Sequence, residues 1–188
     1  MEMFDGDTVH ARLDYPSLVA ALEAHHLRDI DAVRSNVLEQ PKPDGLSARF
    51  LTLPAWQYDR AMGTKLVTVF PENEKNGSGL PSVQAVYVLF DGGNGKPAAC
   101  IDGTALTLRK TASDSALGAK FLARPDATSM LMVGAGALAP HLIMAHHAVR
   151  PGLTSVAIWN RTPERAEALA AGMDLPGVTI TATTDIEA

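Results

Sequence analysis

The sequence predicts a mixed α/β protein in which an antiparallel sheet precedes a parallel, doubly wound sheet. Two observations support this order. Long β-rich segments joined by turns fill the middle of the chain, as in an antiparallel meander. From Ser129 onward, apolar β segments alternate with helical segments, which is the pattern of βαβ units. We therefore expect two domains, over residues 1–125 and 126–188, in this chain of 188 residues.

A helical pattern opens the chain. Asp14 is a predicted N-cap, and the segment "PKPDG" that starts at Pro41 ends the region. Apolar residues recur at helical spacing between these signals, at Val19, Leu22, Ile30, Val33 and Val37. The pattern predicts helical structure from Tyr15 up to about Gln40.

Four β-rich segments follow, namely "ARFLTLPAW", "GTKLVTVF", "SVQAVYVLFD" and "KPAACID". Pro54 restricts the first to a sheet edge or a strand end, because proline cannot donate to a ladder. Alternation along the second places Lys65, Val67 and Val69 on one face. The Ala- and Leu-rich segment "GTALTLRKTASDSALGAKFLA" then predicts a long helix, with Thr104 or Thr107 near its start.

A glycine-rich turn lies in "MLMVGAGALAPHL", where Gly134, Gly136 and Ala139 fit the pattern G-x-G-x-x-[GA]. The first glycine forms the turn, the second lets a pyrophosphate approach the backbone, and the small third residue lets helix and strand pack closely. Free N–H groups at the following helix start attract phosphate. A strand before, a helix after and a second strand about 20 residues on give the motif its expected context. The sequence therefore predicts a Rossmann-type dinucleotide site that includes Ala137 and Leu138; the alternative is an αβ turn without a ligand.

The end of the second strand favours one dinucleotide. NAD sites usually place Asp or Glu there, for the ribose 2′-OH. This chain has "IWNRTPERA", with Asn160, Arg161 and Thr162 at that place and Arg165 nearby. A guanidinium can bind a 2′-phosphate that a carboxylate would repel. We expect NADP(H) as the cofactor, with NAD(H) as second choice. The alternative interpretation of Arg161 is a solvated surface charge that binds no phosphate. Thr162 can contact the phosphate or cap the helix that starts at Pro163.

Composition and charge exclude several classes of protein and of binding site. Net charge is −5 without a basic block, so we expect no nucleic-acid partner. The lone Cys100 rules out an intramolecular disulfide and a cysteine zinc cluster. The neighbouring pairs His25–His26 and His146–His147 lack the spacing of metal ligands on one helix face, so we expect no metal. The acidic start is not a signal peptide, and no run reaches the roughly 18 apolar residues of a membrane span. We expect a cytoplasmic protein without a membrane partner.

Several motifs together resemble the ornithine cyclodeaminase/μ-crystallin family. They are "MGTKLVTVFPEN", "GLPSVQAVYVLFD", "IDGTALTLRKTASDSALGAKFLA" and "VGAGALAPHLI", in the family's order and spacing, within residues 49–188. The resemblance implies an N-terminal α+β substrate and dimerisation domain before a Rossmann domain. It also implies a homodimer that pairs through the N-terminal domains. Family members exchange a hydride between a nicotinamide and the α-carbon of an amino or imino acid.

The resemblance also assigns substrate residues. Lys65 falls on the lysine of "G-x-K-x-V", which binds the substrate carboxylate or lies beside the reacting carbon. The family's arginine before "T-A" falls on Lys110, with Arg109 one position earlier. Adjacent helix residues point about 100° apart, so the two cannot substitute freely. We favour Lys110 and keep Arg109 as the alternative, while Arg49 is the nearest match to an early substrate-binding arginine.

Two further residues are assigned to the cofactor by resemblance. Thr111 would contact the pyrophosphate or the nicotinamide side, and Ser82 lies where the family has Thr or Ser near the nicotinamide. A complete dinucleotide domain has about six strands, whereas three are found after Ser129. We therefore expect this chain to be the first part of a longer enzyme. None of its residues can be assigned as the family's general acid/base.

The expected activity is NADP(H)-dependent reduction of a cyclic ketimine such as Δ1-pyrroline-2-carboxylate to L-proline. Three alternatives stay open, which are an ornithine cyclodeaminase, an alanine dehydrogenase, and a non-catalytic binding protein or inactive fragment. The small amino or imino acid that serves as substrate, and the direction of the reaction, are not determined by the sequence.

Overall fold

The structure is a computed structural model that describes residues 1–28, 32–43 and 46–186. The chain forms two compact units. The first comprises Met1–Arg12 and Arg28–Thr107, and the second comprises Leu13–Leu27 and Leu108–Ala188. The assignment of substrate and cofactor roles to residues 1–125 and 126–188 stays a prediction.

The first unit is built on a sheet of seven strands among the described residues. The strands are β1 (Glu2–Phe4), β2 (Ala32–Val33), β3 (Asn36–Gln40), β4 (Ala48–Gln57), β5 (Ala61–Val69), β6 (Val83–Asp91) and β7 (Pro97–Asp102). The sheet order is β1-β7-β6-β5-β4-β2, with β3 also paired to β4. Strands β4 to β7 pair antiparallel in sequence order, which confirms the predicted meander. Helix α1 (Gly6–Arg12) and a 3-10 helix (Pro71–Glu74) complete the unit.

The helical structure predicted from Tyr15 to about Gln40 is wrong in its second half. Asp14 does cap helix α2, because its carboxylate accepts the Ser17 N–H at 2.9 Å. The helix spans Tyr15–His26, whereas Val33 and Val37 lie on β2 and β3 and pair with β4. Ile30 falls outside the described residues. Pairing with a strand that is distant in the sequence outweighs local helical spacing here, and valine suits a pleated sheet.

Pro54 does not mark an edge, contrary to prediction. It lies inside β4, opposite Thr64 of β5, with β2 and β3 on the other side. Its carbonyl accepts the Arg34 N–H at 3.1 Å. In an antiparallel strand the N–H and C=O of a residue point to the same neighbour. The missing N–H of Pro54 therefore falls at the junction between β2 and β3, where the ladder is interrupted.

The second unit contains a parallel three-stranded sheet with the order β10-β9-β8 among the described residues. Its elements are α2, α3 (Gly103–Leu122), β8 (Ser129–Val133), α4 (Ala139–Val149), β9 (Ser155–Trp159), α5 (Pro163–Gly172) and β10 (Thr179–Thr183). This βαβαβ order confirms the Rossmann-type prediction. Helix α3 begins in the first unit and continues into the second. Its start is capped by Asp102, whose carboxylate accepts the Ala105 N–H at 2.7 Å.

Two apolar clusters hold the second unit together. One joins α2, α3 and α4 through buried residues that include Val19, Ala116 and Ala145. The other packs α4 and α5 on the sheet through Ile143, Ile158 and their neighbours. The small alanines of the first cluster let the helices of the second unit pack closely against one another.

Candidate cofactor and substrate site

The glycine turn joins the end of β8 to the start of α4. The Gly134 N–H donates to the Trp159 carbonyl at 2.7 Å, which ties the turn to the end of β9. Helix α4 starts at Ala139, and Leu138 at the N-cap position makes no side-chain cap hydrogen bond. A helix start without a side-chain cap keeps N–H groups available to an external acceptor. The turn therefore has the features of a phosphate site.

Glycine occupies positions 134 and 136 of this turn for two different physical reasons. Gly134 has φ +112°, a conformation that side-chain-bearing residues rarely adopt, so the backbone itself requires glycine. Gly136 has no such φ, and a Cβ built on it would meet no atom within 4 Å. Neither backbone conformation nor packing within the protein explains glycine at position 136. Close approach of a group from outside the protein does, as the dinucleotide motif requires.

Asn160 connects this turn to the segment predicted to choose the dinucleotide. Its Oδ1 accepts the Ala135 N–H at 3.1 Å, and its Nδ2 donates to the Thr162 carbonyl at 2.8 Å. A neutral amide accepts at its oxygen and donates at its nitrogen, whereas an ionised carboxylate only accepts. A carboxylate at this position could not make the second bond. The geometry thus gives a structural reason for asparagine where NAD sites carry an acidic residue.

The cations of this segment are exposed. Arg161 and Arg165 both point to solvent, near the start of α5. Thr162 occupies the N-cap position of α5 with Pro163 as the first helical residue, as predicted, but its side chain makes no cap hydrogen bond. The Thr162 hydroxyl is therefore not used to cap α5. The open glycine turn and the helix start fit the pyrophosphate of a dinucleotide.

The two neighbouring cations of helix α3, Arg109 and Lys110, have different surroundings. The Arg109 guanidinium carbon lies 4.5 Å from the centroid of the Tyr15 ring, a cation–π contact. Lys110 forms an ion pair with Asp114 one turn later, and 55 % of its side chain is exposed. Thr111 is exposed. Which of the two cations meets a substrate stays a prediction, but Arg109 is held against an aromatic ring while Lys110 extends toward solvent.

The predicted residues of the first unit lie on its central strands. Lys65 is half-buried on β5, between Leu53 of β4 and Tyr87 of β6 in the sheet register. Gly63, two residues earlier on the same face, is covered by the Tyr87 ring, because an added Cβ would lie 2.4 Å from the Tyr87 hydroxyl. Burial raises the pKa of Tyr87. Lys65 therefore lies beside a protonated, partly buried phenol.

Arg49 and Ser82 have defined surroundings. Arg49 on β4 is bonded to Glu39 of β3, with Nη2 and Oε1 3.2 Å apart. Ser82 precedes β6, and its carbonyl accepts the Phe70 N–H at 2.7 Å. Arg49 would have to leave Glu39 or share it in order to meet a substrate, and its role stays a prediction.

A concave site in the first unit contains an arginine that sequence reasoning missed. The cavity has a volume of about 340 Å³ and apolar walls that include Trp56, Met62 and Phe90, with Arg34 among its lining residues. Met62 and Thr64 alternate with Lys65 along β5, so the cavity and Lys65 belong to opposite faces of the sheet. Arg34 was not predicted as a site residue, because it lies inside the segment that was predicted as a helix.

The described part of the chain has neither a cluster of metal ligands nor a membrane-spanning helix. Residues 1–28, 32–43 and 46–186 contain no group of three or more His, Cys, Asp or Glu side chains placed to hold a metal ion. Among the same residues, no helix has the length and apolar character needed to cross a membrane.

Two curated relatives are similar to this chain. Protein SAR DEFICIENT 4 of Arabidopsis thaliana is 50 % identical over 123 residues, which are 64 % of this chain and 37 % of the plant protein. A Delta(1)-pyrroline-2-carboxylate reductase of Paracoccus denitrificans is 36 % identical over 177 residues, covering 94 % of this chain and 54 % of the reductase. The chain thus spans about half or less of the length of these relatives.

A solved structure and a family model extend the comparison. The Δ1-pyrroline-2-carboxylate reductase of Thermococcus litoralis, solved with NADH and L-proline, superposes with a TM-score of 0.81 at 24 % identity, over 99 % of this chain and 58 % of that one. At this identity the match concerns the fold. The model of the ornithine cyclodeaminase/mu-crystallin family matches residues 15–188. The chain belongs to the ornithine cyclodeaminase/mu-crystallin family.

Proposed function

We propose that the protein is an NADP(H)-dependent reductase that converts a cyclic ketimine, such as Δ1-pyrroline-2-carboxylate, to the corresponding amino acid, here L-proline. The observation that carries the proposal is the glycine turn, which is left open at Gly136 and is bonded to the neutral Asn160, with Arg161 next in the chain. The Paracoccus denitrificans relative bears the name of this activity. Family membership supports a reaction on amino or imino acids.

The proposed site residues have separate tasks. The pyrophosphate would be held by the first turn of α4 and by the residues of the glycine turn before it, namely Gly134, Gly136, Ala137 and Leu138. Thr111 and Ser82 would contact the nicotinamide side. A bound nicotinamide supplies the hydride. Lys65, together with a cation of α3, would hold the carboxylate of the substrate and fix the imine carbon for attack. Fixing two reactants in this way can supply several kcal/mol of the barrier, about 7–11 in well-oriented cases.

The reaction adds a hydride to the imine carbon and a proton to the imine nitrogen, so the C=N double bond becomes a single bond. The residues described here bind and orient, and none of them is assigned as the proton donor. Lys65 and the α3 cation favour a substrate with a carboxylate next to the imine, since a buried lysine on an apolar strand is stabilised by an anion.

The preference for NADP(H) follows from charge and hydrogen bonding around Asn160. Asn160 places a neutral side chain where an acidic one would repel a 2′-phosphate, and the exposed Arg161 and Arg165 follow in the chain. Exposed guanidinium groups can form paired hydrogen bonds with phosphate oxygens. A cyclodeaminase that retains NAD(H) would be expected to carry a carboxylate at this position, so the proposal favours net reduction.

We also propose a homodimer that forms through the sheet of the first unit. One face of this sheet leaves large apolar side chains exposed, including Leu38 at 65 %, Phe50 at 38 % and Trp56 at 42 %, and Leu38 lies opposite Phe50 in the pairing of β3 with β4. Exposed apolar side chains on one sheet face support an interaction site there. A dimer mass by light scattering, reduced to a monomer mass by Leu38→Glu, would support this assembly; a monomer of the unsubstituted protein would oppose it.

Three parallel assays test the activity. NADPH is mixed with Δ1-pyrroline-2-carboxylate, NAD with ornithine, and NAD with alanine, while nicotinamide absorbance, proline and ammonia are followed. We expect NADPH consumption with equimolar proline in the first assay. Ammonia and proline from ornithine without net cofactor change would indicate a cyclodeaminase, and NADH formed with alanine would indicate an alanine dehydrogenase. A lack of turnover in all three assays would indicate a non-catalytic binding protein or an inactive fragment.

A further inference from the structure

Tyr15 is a buried aromatic residue with two polar contacts. It is the first residue of α2 and is 6 % exposed. Its hydroxyl lies 2.8 Å from Nδ1 of His141, and its ring lies under the Arg109 guanidinium at 4.5 Å. Burial raises the pKa of Tyr15, so the hydroxyl stays protonated at neutral pH. The hydroxyl can therefore donate to a neutral His141.

Both partners of Tyr15 lie at places that the proposed function uses. His141 is the third residue of α4, so it belongs to the turn whose N–H groups would meet the cofactor phosphates. Arg109 precedes Lys110 on α3, in the turn that carries the predicted substrate cations. One side chain on α2 thus contacts the phosphate end of α4 and the cation-bearing turn of α3.

We propose that Tyr15 is a positioning residue that couples cofactor binding at the start of α4 to the placement of the cations on α3. The inference rests on the proposed function. The hydroxyl fixes the first turn of α4 through His141, and the ring fixes Arg109. Because hydroxyl and ring belong to one rigid side chain with little room to move, a displacement of either partner changes the geometry of the other.

The chain provides a matched control on the same helices. Glu23 of α2 forms an ion pair with Lys120 of α3, far along both helices from Tyr15 and Arg109. This pair also links α2 to α3, but it contacts neither the first turn of α4 nor the turn with Lys110. A purely structural link between helices should therefore respond to substitution at Glu23 as it does at Tyr15.

The test compares two substitutions of Tyr15 by calorimetric titration with NADPH and by steady-state kinetics. Tyr15→Phe keeps the ring and removes the hydroxyl, so we expect the Kd for NADPH to rise roughly 3- to 10-fold while the KM for the imino acid stays within about twofold. Tyr15→Leu also removes the cation–π contact, so both constants should rise. Glu23→Gln should leave the Kd for NADPH unchanged.

Substitutions of His141 supply the second arm. Asn can place a hydrogen-bonding atom close to the position of Nδ1, so His141→Asn should retain most of the NADPH affinity that His141→Leu loses. The double variant Tyr15→Phe/His141→Leu should bind NADPH no more weakly than the weaker single variant, since both remove one bond.

Three results would overturn the inference: an unchanged Kd in Tyr15→Phe, an equal loss in Glu23→Gln, or additive losses in the double variant. They are distinguishable from failure of the proposed function. If the unsubstituted protein binds NADPH and reduces the imino acid but Tyr15→Phe behaves like it, only the coupling is wrong. If the unsubstituted protein binds no NADPH, the proposed function and the coupling are both wrong.

Discussion

The Asn160 side chain accepts a hydrogen bond from the Ala135 N–H at 3.1 Å and so joins the end of β9 to the glycine turn. The other end of the same amide donates to the Thr162 carbonyl at 2.8 Å, which fixes the start of the segment leading into α5. The proposed pyrophosphate and 2′-phosphate sites are thus connected by a single side chain. Substitutions there should affect the choice of dinucleotide as well as its affinity.

Asn160→Asp is predicted to weaken NADPH binding at least tenfold and to weaken NADH binding much less. The new carboxylate can still accept from Ala135, but it cannot donate to Thr162 and it repels a nearby phosphate. Titration of both dinucleotides by calorimetry measures the ratio of the two Kd values. Asn160→Ala serves as control, because it removes both bonds without adding charge and should weaken both dinucleotides alike. An unchanged ratio in Asn160→Asp would argue against the assignment.

Arg161→Ala is predicted to lower the affinity for NADPH roughly 10- to 100-fold, since hydrogen bonds to charged groups contribute about 1.5–3 kcal/mol. The affinity for NADH should change less than twofold, because NADH lacks the 2′-phosphate. Thermal unfolding should stay the same, since Arg161 is exposed. An equal loss of affinity for NADPH and NADH would show that Arg161 does not bind the 2′-phosphate.

The two glycines of the turn should respond differently to alanine. Gly134→Ala forces a side chain into φ +112°, so we expect a loss of stability of about 1–3 kcal/mol in urea unfolding. Gly136→Ala meets no atom within 4 Å, so its stability should match that of the unsubstituted protein. A stability loss in Gly136→Ala as large as that in Gly134→Ala would remove the argument that position 136 is kept open for a ligand.

Lys65→Met is predicted to raise the KM for Δ1-pyrroline-2-carboxylate at least tenfold, because the substrate carboxylate loses a charged partner. The Kd for NADPH should stay the same, since Lys65 is not among the residues assigned to the cofactor. Lys96→Met removes an exposed lysine from the turn before β7 and should leave both constants unchanged. A normal KM in Lys65→Met would exclude Lys65 as the carboxylate ligand.

The Asp14 cap should make the stability of α2 depend on pH. Hydrogen bonds from Ser17 hold the pKa of Asp14 below its usual value of 3.8. A lowered pKa in the folded state gives stability that is present above the unfolded pKa and is lost as pH falls through the folded pKa. Asp14→Ala should therefore melt at a lower temperature than the unsubstituted protein at pH 7. The two melting temperatures should converge as pH falls well below 3.8, and a constant difference would contradict the cap.

The second unit was predictable because its signals are local. Alternation of apolar strands with helices and the spacing of Gly134, Gly136 and Ala139 together define a βαβ unit without reference to distant residues. The strand-to-helix change at Asp102 and Gly103 is equally visible in the sequence. These features set periodicity and backbone conformation within short windows, and the structure confirms them.

The parts that were mispredicted or missed depend on distant partners. Val33 and Val37 keep helical spacing, yet they pair with Ala55 and Leu51 of β4, which lie 22 and 14 residues later. The contact between Tyr15 and His141 spans 126 residues and has no motif. Arg34 joins a cavity wall only after β2 has paired. Local periodicity carries no information on such contacts, because they depend on tertiary pairing.

Binding of NADPH by the unsubstituted protein and by Gly136→Val tests the central claim most directly. Valine at position 136 should fit the protein, because a Cβ there meets no atom within 4 Å, but its side chain would occupy the place of the pyrophosphate. We predict that the unsubstituted protein binds NADPH in calorimetric titration and that Gly136→Val, folded and melting normally, does not. Equal NADPH affinity in the two proteins would contradict the assignment of the glycine turn as the cofactor site.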